Sequence, residues 1–208
     1  MSFANSERHG LADLLLECGP DAPTLCEGWT TADLAVHLWV REHRPDAIVG
    51  MVASPVAGHL EAVSKKVKAQ DYYQLVEKWR AGPPKLSPFG LLDAKINLTE
   101  NFVHHEDVRR AGSDWDVREV DAQAIAGFRK ALPTLAKVFL RKSRVPVVLN
   151  PHGLTPVTVG GTRGVVERGD DVVRVSGAVG ELILWVFGRS AVDVTIDGDQ
   201  SKIIQSSL

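Results

Sequence analysis

The sequence predicts an α+β protein. An N-terminal antiparallel four-helix bundle spans residues 1–142, and a small α+β domain spans 143–208. Two observations carry this reading. Apolar residues recur at helical spacing through the first part of the chain. Near residue 145 the pattern changes to short, alternating β-branched runs punctuated by Gly, Asn and Asp. A chain of 208 residues is also long enough to bury a sizeable core without disulfide staples.

The first helix covers about Asn5 to Cys18, where Leu11, Leu14, Leu15 and Cys18 share a face, and Gly19-Pro20 stops it. Thr24 to Trp29 reads as a loop. Thr30 and Asp33 then form a capping box for a second helix, which carries Leu34, His37, Leu38 and Arg41 and ends at Pro45. A third helical segment covers about Gly58 to Lys68. Asp71 caps a short helix with Leu75, Val76 and Trp79, closed by Gly82-Pro83-Pro84. Ser87-Pro88 opens the longest helix, with proline at its first position, and it runs to about Ala111 before Gly112. A further helix, about Asp121 to Arg141, places Ile125, Phe128, Leu132, Leu135 and Val138 on one face, with Pro133 expected to kink it. Beyond it, Val145–Leu149, Thr155–Val159, Val172–Val175 and Ala191–Ile196 read as strands. Gly177–Phe187 reads as an apolar helix ended by Gly188.

The net charge of −2 lacks the basic bias of a nucleic-acid or anionic-membrane binder. The longest apolar run, Leu182 to Phe187, is too short to cross a bilayer. The N-terminus has no signal-peptide pattern, and two cysteines, Cys18 and Cys26, are too few for a disulfide framework. These features point to a cytoplasmic protein that binds neither nucleic acid nor a membrane. No pattern sets an oligomeric state.

Chemistry concentrates in the segment from Thr99 to Ala111. Glu100 and His104 stand four apart on a helix, so their side chains meet on one face and can ligate one metal ion together. Asp107, three further on, can accept the other ring N–H of His104 and fix its tautomer. His105 points about 100° away. The third ligand expected is His37, on the core-facing side of the second helix. Two His and one Glu leave a position open for water or substrate, which is the mark of a catalytic site. The plainer alternatives are a surface ion pair for Glu100 and His104 and a hydrogen-bonded core residue for His37. His105 and Glu106 beside Arg109 and Arg110 read as a solvated, ion-paired face. Cys26 reads as a buried apolar cysteine, with a redox-sensitive thiol as the alternative. Trp29, Trp79, Trp115 and Trp185 read as core or interface residues.

These residues also carry a family resemblance. Gly28-Trp29-Thr30 with Asp33, His37 and Leu38 resembles the GW(S/T)xxDLxxH(L) segment of the DinB-like metal-binding helix bundles. Glu100-x3-His104-x2-Asp107, followed by Ala111, is similar to the corresponding segment of the mycothiol-dependent maleylpyruvate isomerases, an actinobacterial branch of that superfamily. Ser176-Gly177-x3-Glu181-Leu182-x2-Trp185-x2-Gly188-Arg189 looks like the small α+β domain that follows the bundle there. The resemblance covers nearly the whole chain in the same order. It implies that His37, Glu100 and His104 bind zinc or another divalent metal, and that the metal activates a low-molecular-weight thiol such as mycothiol. Many DinB-like relatives use three His, so Glu100 places the chain nearer the isomerase branch. The charge-rich run His104 to Arg110 departs from that branch and suggests an uncharacterised subfamily.

The expected function is therefore a metal-dependent thiol transferase or isomerase acting on a small electrophile. Arg189 is a candidate for binding a carboxylate, against a plainer role at a helix C-terminus. Two rival readings stand beside it: a zinc hydrolase using metal-bound water, and a non-catalytic metal- or ligand-binding stress protein.

Overall fold

The computed structural model describes residues 2–47, 57–83, 88–160 and 172–206. Contacts group the chain into two compact units, Met1–Trp115 and Asp116–Ser207. The architecture is a helix bundle followed by a small sheet-and-helix domain, as the periodicity predicts.

The first unit contains α1 (Phe3–Cys18), α2 (Thr31–His43), α3 (Ala57–Lys68), α4 (Tyr72–Arg80) and α5 (Pro88–Arg109). Helix starts follow local chemistry. Thr30 donates from both its backbone N–H and its hydroxyl to Asp33 Oδ2, at 3.2 and 3.0 Å, which fixes the first turn of α2. The Asp71 side chain accepts the Gln74 N–H at 2.9 Å and starts α4. The Ser87 cap expected for α5 and Pro84 lie outside the described residues.

Apolar stripes then assemble the bundle. Helix α1 packs along α5, α2 lies against α3 and α4, and α1 also meets α4. Leu11, Leu15, Leu34, Leu38, Val76 and Trp79 form the centre of the core. At Gly10 the α1 backbone runs close to α5: a Cβ there would lie 2.9 Å from the His105 ring. Glycine permits this approach, and His105 fills the space while facing Glu7 Oε2 at 3.0 Å through Nδ1.

The long helix expected near 121–141 forms as α6 (Ala122–Phe139), but it packs against the small domain's own elements. Its buried stripe is Ala124, Phe128, Leu132, Ala136 and Phe139, whereas Ile125 and Val138 are exposed. The sheet needs a helical cover, and a stripe with steps of mostly four residues supplies one.

The second unit is a four-stranded sheet in the order β2-β1-β3-β4. The strands are β1 (Val147–Pro151), β2 (Val157–Val159), β3 (Val173–Gly177) and β4 (Val194–Asp197). Strand β1 pairs antiparallel with β2 and parallel with β3, and β3 pairs antiparallel with β4. Helix α7 (Val179–Val186) is buried at every position, which explains the apolar run that begins at Leu182; buried Glu181 accepts the Asp193 N–H at 2.8 Å. Helix α6 packs on α7 and β2. Among the described residues no helix is long and apolar enough to cross a membrane.

The first unit also buries an ion pair. Arg8 donates to both Glu42 carboxylate oxygens at 2.7 Å and to the Trp79 carbonyl at 2.9 Å. Its guanidinium lies 4.9 Å from the centroid of the Trp79 ring. Removing one partner strands a charge in the core. Glu42→Ala is expected to lower stability by about 3–5 kcal/mol, read from urea unfolding midpoints.

Candidate metal centre

The site lies within the first unit and takes side chains from α2, α5 and the loop before α2. Helix α2 contributes His37 and, one turn later, Arg41. Helix α5 contributes Glu100, His104 and Asp107 from successive turns. The loop is pinned to α5 by a hydrogen bond from the Leu25 N–H to the Asp107 carbonyl at 2.9 Å. Gly28, at φ +75°, adopts the left-handed turn that this loop requires just before Trp29. The loop thereby brings Cys26 to the Asp107 side chain and Trp29 to His37.

Asp107 is fully buried and works as a double acceptor. His104 Nδ1 lies 3.0 Å from Asp107 Oδ2, and the Cys26 thiol donates to the same oxygen at 3.2 Å. With Nδ1–H facing a carboxylate, the ring is oriented by its back edge. Its other nitrogen, Nε2, lies 3.5 Å from Glu100 Oε2. The His37 ring packs edge-on to the His104 ring with centroids 5.2 Å apart. The Trp29 ring is tilted against that of His37, also with centroids 5.2 Å apart.

Among the described residues, two groups of three potential metal ligands occur, and they share His104. One is His37, Glu100 and His104; the other is Cys26, His104 and Asp107. In each, one ligand atom per residue lies within 4.8 Å of the others.

The ionisation states differ sharply across this small space. Burial holds His37 far below the ordinary value of 6.5, at about 3, and the neighbouring His104 charge adds to the effect. Burial pushes the Glu100 carboxyl up, but its hydrogen bond with His104 and the nearby Arg41 outweigh it and bring it down to about 2. Burial also works against charge on His104. There Asp107, Cys26 and Glu100 together prevail and hold its pKa well above 6.5. Without a metal and near neutral pH, these directions favour the carboxylate of Glu100, the imidazolium of His104 and the neutral imidazole of His37.

Several residues sit where the sequence did not suggest. Cys26 is half-buried, and its thiol is tied into the site rather than packed among apolar groups. Trp29 is 37% exposed and covers His37. The run after His104 is no solvated face. Glu106 is fully buried and accepts from Arg109 at 2.8 Å and from Arg110 at 2.6 Å, while Arg110 lies over the Trp115 ring. His105 turns into the α1 contact. Arg189, in the second unit, donates to the Phe187 carbonyl at 2.8 Å, a helix-end hydrogen bond. Arg41, whose Nε is 3.8 Å from Glu100 Oε2, was legible only as a helix residue one turn from His37.

His37 makes the metal-free protein sensitive to acid. The unfolded chain takes up this proton near 6.5, the folded chain only at about 3. Between those values the unfolded state binds more protons, so the contribution of His37 to stability falls as pH drops. His104, with its raised value, contributes in the opposite sense: its share is present below 6.5 and is lost as pH rises through its folded value. His37→Gln is expected to flatten the loss of stability on acidification below about 6.5, measured by urea midpoints on metal-free protein across the pH range.

No family model matches the sequence, and no curated protein matches it. The chain is similar to a solved structure described as the crystal structure of the mycothiol-dependent maleylpyruvate isomerase. The TM-score is 0.65 at 14% identity, and the match covers 97% of this chain and 93% of that chain. At that identity the likeness is one of fold.

Proposed function

We propose that this chain holds a divalent metal ion, zinc by its donor chemistry, on His37, Glu100 and His104. We further propose that it uses the ion to activate a low-molecular-weight thiol, such as mycothiol, against a small electrophile. The observation that carries the reading is the convergence of these three ligand atoms within 4.8 Å from two helices. Two imidazoles and a carboxylate suit zinc and leave a position for an incoming group.

The donors fit this role. Asp107 holds His104 by Nδ1 and leaves Nε2 facing Glu100, as carboxylates behind metal-bound histidines do. Glu100 is already ionised and His37 already neutral, which are the forms that bind metal. In the alternative group, the Cys26 thiol and His104 Nδ1 are both engaged with one oxygen of Asp107. A bound divalent ion would supply the acidity that makes a coordinated thiol a thiolate at neutral pH. Trp29 would give the reacting groups an apolar wall beside His37. The fold likeness to a thiol-dependent isomerase favours thiol over water as the activated group.

Elemental analysis is expected to find about one metal ion per chain, lost in His37→Ala and His104→Ala. Calorimetry in buffers of different ionisation enthalpy should show release of about one proton on binding near neutral pH, from His104, because the other two ligands carry none. Equal trace metal in wild type and variants would remove the site. Product formation from electrophilic acids is expected to need added thiol. Turnover that persists in thiol-free buffer would replace the transferase or isomerase reading with a hydrolase.

A further inference from the structure

Arg41 lies at the edge of the site and has no place in the ligand set. It follows His37 by one helical turn, so both project from the same face of α2. Its Nε is 3.8 Å from Glu100 Oε2, the same oxygen that faces His104 Nε2 at 3.5 Å. Both side chains of the Arg41–Glu100 pair are 16% exposed, so the pair is mostly buried but partly open to solvent. Among the described residues Glu100 is its ion-pair partner.

A charge count shows what this placement does. With the ligands assigned above, a divalent ion and Arg41 bring three positive charges. Glu100 and Asp107 bring two negative ones, and the imidazoles are neutral once they are bound. One positive charge is left over in a half-buried space, where it is poorly screened. A neutral fourth ligand leaves that excess in place, and a monoanion cancels it. Arginine suits the task because its Nε edge can stay on Glu100 while the terminal amino groups meet an incoming anion.

We propose that Arg41 makes this centre an anion site, selecting a monoanionic ligand, a thiolate or a carboxylate, over a neutral one at the position beside Glu100. The inference rests on the metal reading above and adds to it the charge of the group that enters. The same guanidinium opposes the ion itself, because it repels the cation and competes for Glu100. Arg41 thus lowers affinity for the bare metal and raises affinity for the anion that accompanies it.

The test uses full-length protein loaded with cobalt(II), whose visible spectrum reports changes in coordination. Wild type, Arg41→Gln and Arg41→Met are titrated with acetate and thiocyanate as monoanions and with imidazole as a neutral ligand. Two neutral replacements are used so that a folded one, checked by circular dichroism, is in hand; Met also keeps the apolar stem of Arg. The anions are expected to weaken on the order of ten- to a hundred-fold in either variant, as for loss of a charged hydrogen bond, with imidazole unchanged. Chelator competition should show cobalt held more tightly by the variants. Anion affinities equal to wild type, or a parallel loss for anions and imidazole, would overturn the role of Arg41 and leave the metal site standing. A wild type that takes up no cobalt would overturn the metal reading, and this inference with it.

Discussion

The carboxylate of Asp107 is the contact on which the geometry of the site depends. One of its oxygens meets both His104 Nδ1 and the Cys26 thiol, and its backbone carbonyl takes the Leu25 N–H. Two separate pieces of chain are registered by this one residue: the last turns of α5, with the His104 ring they carry, and the loop before α2. Its full burial strengthens each contact, since low dielectric favours hydrogen bonds that are made and penalises those that are not. The loop it anchors then carries Trp29 onto His37, so the α2 side of the site is placed through the same residue.

Around this anchor the bundle arranges charge with little water to soften it. Glu100 stays ionised despite burial because His104 and Arg41 face it. Burial and the neighbouring His104 charge both hold the His37 pKa low, which disfavours a second imidazolium beside the first. Three side chains within a few ångströms therefore hold three different states by mutual constraint. This suits a site that must accept a cation, since only one proton has to leave. The buried Arg8–Glu42 pair, which belongs to neither ligand group, follows the same physics, with both carboxylate oxygens satisfied by one guanidinium.

Much of the bundle was legible because it rests on local rules. The capping box at Thr30 and Asp33, the Asp71 cap and the helical spacing of Leu11, Leu15, Leu34 and Leu38 need no distant partner to be read. The pairing of Glu100 with His104 is likewise local, a consequence of 3.6 residues per turn. The run from His105 to Arg110 misled for the opposite reason. Charged residues are solvated on a free helix and buried only when another element offers partners. Here Glu7 of α1 takes His105, and Trp115 covers Arg110. The stripe of α6 was legible only in part: Phe128 and Leu132 are buried as expected, Ile125 and Val138 are exposed, and an apolar stripe does not name what covers it, a place taken by elements of its own unit.

The sequence by itself determined the elements, the order of bundle and sheet, and the two α5 residues that share one helical face. Those follow from spacing, capping and composition, which act within a few residues. Tertiary structure decided that His37 meets His104, that Cys26 and Trp29 belong to the site, and that Arg41 faces Glu100. Apart from the short reach of Trp29 to His37, these contacts join residues dozens of positions apart, and their meeting depends on how α2 and the loop before it settle against α5. No local preference encodes that geometry; it is set by packing and by the buried carboxylate of Asp107.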